Sequence, residues 1–205
     1  NLYEEYYILS KFDSTLDGEY KRFHPNGKIA ATTNFKNGQK QGLFTEYYPN
    51  GVKKVAINHL NDKKHGEILV FNEDGNIIQK GKYENDKLVG EFSKFSKSGT
   101  IQQESNFKEG KVNGAIKDYY PNGKLKAETP FINDVTHGVA TTYYENGNKE
   151  TEAKYYSGKL NGFHKTYYDN GNLELEISHE GGKKNGKFSK YYKNGQLKNT
   201  GNYND

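Results

Sequence analysis

Four glutamates occupy the same position in successive 24-residue stretches, and carboxylates at a regular spacing could act as an acid and a base. They are Glu104, Glu128, Glu152 and Glu176. A catalytic carboxylate pair stands roughly 5–10 Å apart, and residues two strands apart in a sheet are separated by about 9.6 Å. Lysines such as Lys126 and Lys154 lie close in sequence, however, and the pattern indicates no cleft. We therefore interpret the glutamates as a solvated face, predict no catalytic residue, and expect that the chain is not an enzyme.

Neither the histidines nor the glycines indicate a metal or cofactor site. The six histidines are scattered along the chain, whereas a zinc site needs three or four converging ligands. His65 and His137 share a position but lie three repeats apart. The glycines recur in Asn-Gly turns and never open a helix, so no phosphate-binding loop is predicted. We expect no metal and no cofactor.

Tyrosines that directly follow another aromatic residue are the best candidates for binding a ligand or a partner. These residues, which we call the tyrosine row, are Tyr48, Tyr120, Tyr144, Tyr168 and Tyr192. Tyrosine rings can stack on sugars, peptides or cationic headgroups, and their hydroxyls can form hydrogen bonds. The alternative is that the row only covers a thin sheet and packs on neighbouring repeats. Both interpretations remain open at this point.

A tandem repeat must position these side chains. One glycine recurs every 24 residues, and a second glycine follows each of them nine residues later. The first set is Gly18, Gly42, Gly66, Gly90, Gly114, Gly138, Gly162 and Gly186. The fifth residue after each of these is aromatic. Such an arrangement indicates a repeat architecture, and repeat architectures mostly bind rather than catalyse.

Each repeat carries the turn chemistry of a β-hairpin. In the Tyr-Tyr-Pro-Asn-Gly stretch at residues 47–51, proline suits the first central position of a type I turn and glycine tolerates a positive φ. After a later copy of this turn, Leu125, Ala127, Thr129 and Phe131 alternate with Lys126 and Glu128, the period of a strand. We predict two strands of roughly six residues and two short turns per repeat, with a polar loop, such as residues 36–41, leading to the next repeat.

The first strand of each repeat is less regular than the second. Phe44 lies three positions before the aromatic Tyr47 that ends the strand. Strict alternation would place these two side chains on opposite faces of the sheet, so that both faces carry aromatics. A β-bulge would bring them onto one face, and we favour the bulge.

Composition agrees with a thin, ordered structure. Only 32% of the 205 residues are apolar, yet 18 are tyrosine and 11 phenylalanine, which is too aromatic for a disordered chain. The net charge of +4 comes from acidic and basic residues that are mixed along the chain, so we expect no nucleic-acid partner. We predict an all-β fold: an elongated array of tandem antiparallel hairpins in a single twisted or curved sheet.

The repeat pattern resembles the MORN repeat, in particular its bacterial variant. The stretches that carry the resemblance are Gly114-Ala115-Ile116, residues 119–125 (Tyr-Tyr-Pro-Asn-Gly-Lys-Leu) and residues 155–162 (Tyr-Tyr-Ser-Gly-Lys-Leu-Asn-Gly). We place the array at residues 18–205 in one domain, preceded by a partial repeat or cap at residues 1–17, within which Phe12 through Leu16 resemble the end of a repeat. The repeats at Phe71 and Phe95 lack the second aromatic.

The resemblance implies a binding or scaffold protein without catalytic residues. We expect a protein partner first, carbohydrate or cell-wall binding as the alternative, and association with a membrane surface third. Open edge strands could also allow self-association. The chain begins at Asn1 and contains no methionine, so we expect that a native N-terminus has been removed. This favours a secreted or cell-surface location over a cytoplasmic one without establishing either.

Overall fold

The computed structural model describes residues 4–6 and 15–204, which divide into two compact units at Thr100 and Ile101. Within these residues every regular element is a β-strand. The strands of the first unit are β1 (Glu4–Glu5), β2 (Gly18–Phe23), β3 (Ile29–Lys36), β4 (Gln39–Tyr47), β5 (Lys53–Leu60), β6 (Lys63–Phe71), β7 (Ile77–Glu84), β8 (Lys87–Leu88) and β9 (Gly90–Phe95).

The second unit repeats the same plan. Its strands are β10 (Ile101–Lys108), β11 (Lys111–Val112), β12 (Gly114–Tyr119), β13 (Leu125–Ile132), β14 (Val135–Thr136), β15 (Gly138–Tyr143), β16 (Lys149–Tyr156), β17 (Lys159–Tyr167), β18 (Leu173–Glu180), β19 (Lys183–Tyr191) and β20 (Leu197–Tyr203). Within each unit, consecutive strands pair antiparallel in chain order, as β4 with β5 and β17 with β18. The predicted all-β array of antiparallel hairpins is confirmed.

The turn at the end of each first strand has the predicted chemistry. The Gly51 N–H donates to the Tyr48 carbonyl at 2.8 Å, with Pro49 and Asn50 between them, and Gly51 has a φ of 95°. The Asn50 side-chain oxygen accepts the Val52 N–H at 2.9 Å. An asparagine side chain thus supports the reversal, which is why asparagine or a similar residue precedes the glycine.

The predicted polar loop between repeats is instead a two-residue turn. Asn61 and Asp62 both have positive φ, at 50° and 67°, the conformation of the type I′ turns that suit hairpins. The strands therefore continue on both sides of this turn, and several are longer than the predicted six residues. Second strands such as β5 contain 8 residues, and β4 contains 9.

The first glycine of each repeat is a bulge residue inside or between strands. In the β5–β6 pair, Ile57 faces Ile68 and His59 faces Lys64. Between these two pairs, the single residue Asn58 lies opposite three residues of β6. One of the three is Gly66, which has a φ of 100°. A Cβ on Gly66 would lie 3.4 Å from the Asn58 Cβ. Glycine is needed here because φ is positive and because the backbone closely approaches the neighbouring strand.

The strand-end aromatics lie on the opposite face from Phe44 and its equivalents, so our preference for one shared face was wrong. A bulge is present before Tyr47, but the extra residue, Lys54, belongs to the second strand. The first strand therefore keeps its alternation. The Phe44 ring meets His59 at 6.0 Å on one face. On the other face, which we call the carboxylate face, equivalents of Tyr47 contact the recurring glutamates.

The face that carries Phe44 and Ile57 holds most of the buried residues, and we call it the core face. Ile57, Ala153 and Ile177 are buried there. No large side chain among the described residues is completely buried, as the low apolar content predicts. Rings are accommodated by small residues: a Cβ on Gly81 would lie 2.6 Å from Phe92 Cδ2. The core is thus a single layer of alternating large and small side chains.

The first 17 residues are only partly described. Glu4 and Glu5 pair antiparallel with β2, and the Tyr20 hydroxyl donates to Glu4 at 3.1 Å. A short strand therefore lies upstream of the first full repeat. Tyr7 and residues 12–14 lie outside the described part, so the proposed partial repeat at residues 1–17 stays a prediction.

Candidate partner-binding surface

Hydroxyls of the tyrosine row form hydrogen bonds from one repeat to the next. The Tyr144 hydroxyl donates to the Tyr167 carbonyl at 2.7 Å, and the other bonds have the same spacing of 23 residues. They run from Tyr48 to Phe71 at 2.9 Å, from Tyr120 to Tyr143 at 2.7 Å and from Tyr168 to Tyr191 at 2.9 Å. The structure therefore gives four of the five candidate residues a role in stacking the repeats.

The first and last members of the series differ from the rest. His24 stands in the first repeat where tyrosine stands later, and its Nε2 lies 2.9 Å from the Tyr47 carbonyl. The Tyr192 hydroxyl has no hydrogen bond within the described residues. Its side chain is the most open of the row, at 49% exposed.

The turn asparagines form a second set of bonds between repeats beside the tyrosines. The Asn146 amide donates to the Asp169 carbonyl at 2.6 Å, and the Asn170 amide donates to the Lys193 carbonyl at 3.0 Å. In the first unit, the Asn50 amide donates to the Glu73 carbonyl at 3.0 Å. These turns are therefore anchored to the turns that follow them, beside the tyrosine rings.

Charged side chains from the bulge position lie beside the rings. Lys126 Nζ is 5.7 Å from the centre of the Tyr120 ring, and Lys198 Nζ is 5.3 Å from that of Tyr192. In the repeats between these two, the bulge position holds Glu150 and Glu174, which accept hydroxyl hydrogen bonds from threonines at 3.0 and 3.1 Å. The row in the second unit is thus bordered by lysine, glutamate, glutamate and lysine in turn.

The bulge residues were not among the candidates chosen from the sequence. Strict alternation assigned Lys126 to the face of Glu128, whereas the extra residue in the strand lets it reach the Tyr120 ring instead. Their spacing of 24 residues was a signal that could have identified them.

Burial and negative charge act on the tyrosines themselves. Partial burial, followed by the charges of Glu150 and Glu174, raises the pKa of Tyr144 above its ordinary value. Partial burial and the charges of Glu150 and Glu145 raise the pKa of Tyr120 likewise. Both phenols therefore stay protonated and able to donate near neutral pH.

The four recurring glutamates are paired with side chains on the carboxylate face. Glu104 accepts the Tyr119 hydroxyl at 2.5 Å, and Glu152 accepts the Tyr167 hydroxyl at 2.5 Å and Lys149 Nζ at 2.6 Å. Glu128 and Glu176 lie 4.0 and 3.4 Å from Lys117 and Lys165. The glutamates therefore accept hydrogen bonds from strand-end aromatics and form ion pairs with neighbouring lysines.

These contacts shift the pKa values of the paired groups. Burial, followed by the hydrogen bond to Glu104, raises the pKa of Tyr119 to about 12. Burial opposes the ionisation of Glu152, but the hydrogen bonds from Lys149 and Tyr167 outweigh it and lower the pKa of Glu152. Burial and hydrogen bonds on the carboxylate face, with the Lys149–Glu152 ion pair, therefore account for both shifts.

Two other features are absent from the described part of the chain. There, no group of three or more histidine, aspartate or glutamate side chains is placed to hold a metal ion. No helix that could cross a membrane occurs among the same residues.

The geometry defines a class of protein: a tandem-repeat protein in which tyrosines, asparagines and turn residues form hydrogen bonds between successive hairpins. Eight consecutive segments match the family described as the MORN repeat variant, at residues 16–37, 40–61, 64–85, 88–109, 112–133, 136–157, 160–180 and 184–205. The chain belongs to this MORN repeat family, which confirms the resemblance and the 24-residue period. MORN repeats are generally associated with binding, either to proteins or to membranes. No curated protein matches the chain.

Proposed function

We propose that this chain is a non-catalytic binding protein that holds a protein partner along the tyrosine row of its second unit. The observation that carries the proposal is the ordered strip formed by Tyr120, Tyr144, Tyr168 and Tyr192 with the charged bulge residues beside them. Tyrosine is enriched at protein interfaces because its ring provides a large contact area at low entropic cost.

The hydrogen bonds of the row support binding as well as folding. Each bond uses the hydroxyl and leaves the ring of Tyr120, Tyr144 or Tyr168 only half-buried. A ring that is already fixed loses little rotational freedom when a partner covers it, so less of the contact energy is spent on ordering. Packing and binding are therefore compatible uses of the same residues.

The alternating charges beside the rings favour a protein partner over a sugar or a lipid. Lys126, Glu150, Glu174 and Lys198 offer both signs within one strip, a pattern that peptides with mixed charge can complement. A sugar gains less from these charges, and an anionic membrane is repelled by the two glutamates. Carbohydrate binding remains the second candidate and membrane association the third.

A charge-reversal experiment tests the proposal without removing the tyrosines. The partner is first captured from the source cell, purified, and its affinity measured for the variant Glu150→Lys/Glu174→Lys. We expect at least a tenfold loss of affinity. The matched control, Glu73→Lys/Glu91→Lys, changes the net charge by the same amount at exposed positions of the first unit and should bind normally.

Other ligands are tested with the same two variants. Glycan arrays and liposomes with anionic lipid serve as the carbohydrate and membrane probes. Binding of the purified partner that is equal in both variants contradicts the proposal. A different result is that no protein is captured and that Glu150→Lys/Glu174→Lys weakens the binding of a sugar or a liposome. That ligand would then replace the protein partner in the proposed function.

A further inference from the structure

A cavity of about 290 Å³ opens on the core face of the first unit. Its lining residues are Lys40, Phe44, Val55, Ile57, His59, Lys64 and Ile68. Four of these side chains are apolar, and the other three are two lysines and a histidine. The volume lies near the lower end of the range for small-molecule sites, roughly 300–1,000 Å³.

The lysines are held near the cavity by aromatic rings. Lys40 Nζ lies 5.6 Å from the centre of the Phe44 ring, and Lys64 Nζ lies 5.2 Å from the centre of the Tyr83 ring. Both distances are within the range of cation–π attraction. The cation–π contacts therefore hold both ammonium groups in place in the unliganded protein.

Two aspartates approach the same lysines, but they bind backbone rather than side chain. Asp62 and Asp86 accept the backbone N–H groups of Lys40 and Lys64, each at 2.8 Å. Among the described residues, no carboxylate forms an ion pair within 4.0 Å with either ammonium. Both cations thus remain available to an anion.

The positive charge of the two lysines acts on the neighbouring His59 side chain. Burial, followed by the positive charge of Lys40 and then by that of Lys64, lowers the pKa of His59, although Asp86 and a backbone interaction at Ile57 act in the opposite direction. The charges of the two lysines thus add to the effect of burial on the imidazole. An anion bound beside the lysines would reduce this effect.

The same positions five repeats later show which residues make the cavity distinctive. Leu160 stands at the position of Lys40, His164 at that of Phe44, and Phe188 at that of Ile68. His179 and Lys184 correspond to His59 and Lys64. The later site has one lysine instead of two and the ring of Phe188 in place of Ile68. It can therefore serve as an internal control for the cavity of the first unit.

We propose that this cavity binds a small organic carboxylate with an apolar body, either aliphatic or aromatic. The apolar body packs on Phe44, Ile57 and Ile68, and the carboxylate pairs with Lys40 and Lys64. Two cations beside an apolar floor select against neutral and cationic molecules of the same shape, because only an anion carries the opposite charge to both lysines. The site is independent of the proposed protein interface.

The test titrates the whole chain with hexanoate and with benzoate and follows the NMR signals of His59 and Ile68. We expect saturable shifts of both signals and a rise in the pKa of His59 on binding. Hexanol and benzylamine, which keep the apolar bodies but change the charge, should bind at least tenfold more weakly. Affinity for the carboxylates should increase as the pH falls through the pKa of His59.

Three variants make the test specific. Lys40→Gln/Lys64→Gln should weaken carboxylate binding at least tenfold, and Ile68→Phe should abolish it by filling the cavity with the ring that the later site carries. Lys184→Gln is the matched control and should bind like the wild type. Equal binding of hexanol and hexanoate, equal loss in the control, or no shift at millimolar carboxylate would overturn the proposal.

Discussion

Replacing Tyr144 by phenylalanine should separate the contribution of the inter-repeat hydrogen bond from that of the ring. The variant removes only the hydroxyl that donates to the Tyr167 carbonyl at 2.7 Å. Such a bond contributes about 0.5–1.5 kcal/mol, and because this one is only partly buried, water can partly replace it. We therefore expect a loss of about 1 kcal/mol in the free energy of unfolding.

The matched control is Tyr192→Phe, which removes a hydroxyl without a hydrogen bond in the described structure. Its stability should stay within about 0.5 kcal/mol of the wild type, as is usual for surface substitutions. The assay is urea unfolding followed by circular dichroism, with the slope m compared between variants. A change in m would indicate that the cooperativity of the repeats has changed instead.

A specific result would refute the reasoning about the tyrosine row. If Tyr144→Phe and Tyr192→Phe lose the same stability, or if neither loses any, the hydroxyl bonds do not hold the repeats together. The row would then have to be explained by its rings alone.

Three further predictions concern the core and the carboxylate face. Gly81→Ala should destabilise the fold by about 1–3 kcal/mol because its Cβ would lie 2.6 Å from Phe92, and adding Phe92→Leu should recover part of this loss in urea unfolding. Glu152→Gln should cost about 1–2 kcal/mol, since it weakens a charge-assisted bond from Tyr167. The contribution of Glu152 is present above the ordinary glutamate pKa and is lost as the pH falls through its lowered folded value, so acid unfolding of the wild type should be steeper there than that of the variant. Tyr119, with a pKa raised to about 12, should ionise well above the ordinary tyrosine range in an ultraviolet titration, and its contribution to stability should disappear as the pH rises from the ordinary tyrosine pKa through that value. Ionisation of Tyr119 at the ordinary value would contradict its hydrogen bond to Glu104.

The repeat and its hairpins could be predicted from the sequence because turn chemistry is local. Pro49, Asn50 and Gly51 favour one backbone conformation by themselves, so the reversal after Tyr48 needs no knowledge of the rest of the chain. The same holds for the alternation of the second strands. The period then extends this local information over eight repeats.

Contacts between repeats could not be predicted in the same way. The position of Lys126 depends on a bulge, and one extra residue changes which face a side chain reaches. The bond from Tyr144 to a carbonyl 23 residues later depends on how two turns stack. The cavity beside His59 requires the joint placement of side chains from several strands. The candidate tyrosines could therefore be chosen from the sequence, while their hydrogen bonds could not.

Photo-crosslinking tests the proposed binding surface most directly. A benzoylphenylalanine placed at Tyr192, which is 49% exposed, stands at the end of the strip and interrupts no described hydrogen bond. The control replaces Val139, which is 39% exposed and pairs with Lys154 on the carboxylate face of the same unit. We predict that the purified partner crosslinks to position 192 and not to position 139. Crosslinking at position 139 alone, or equally at both, would contradict the assignment of binding to the tyrosine row.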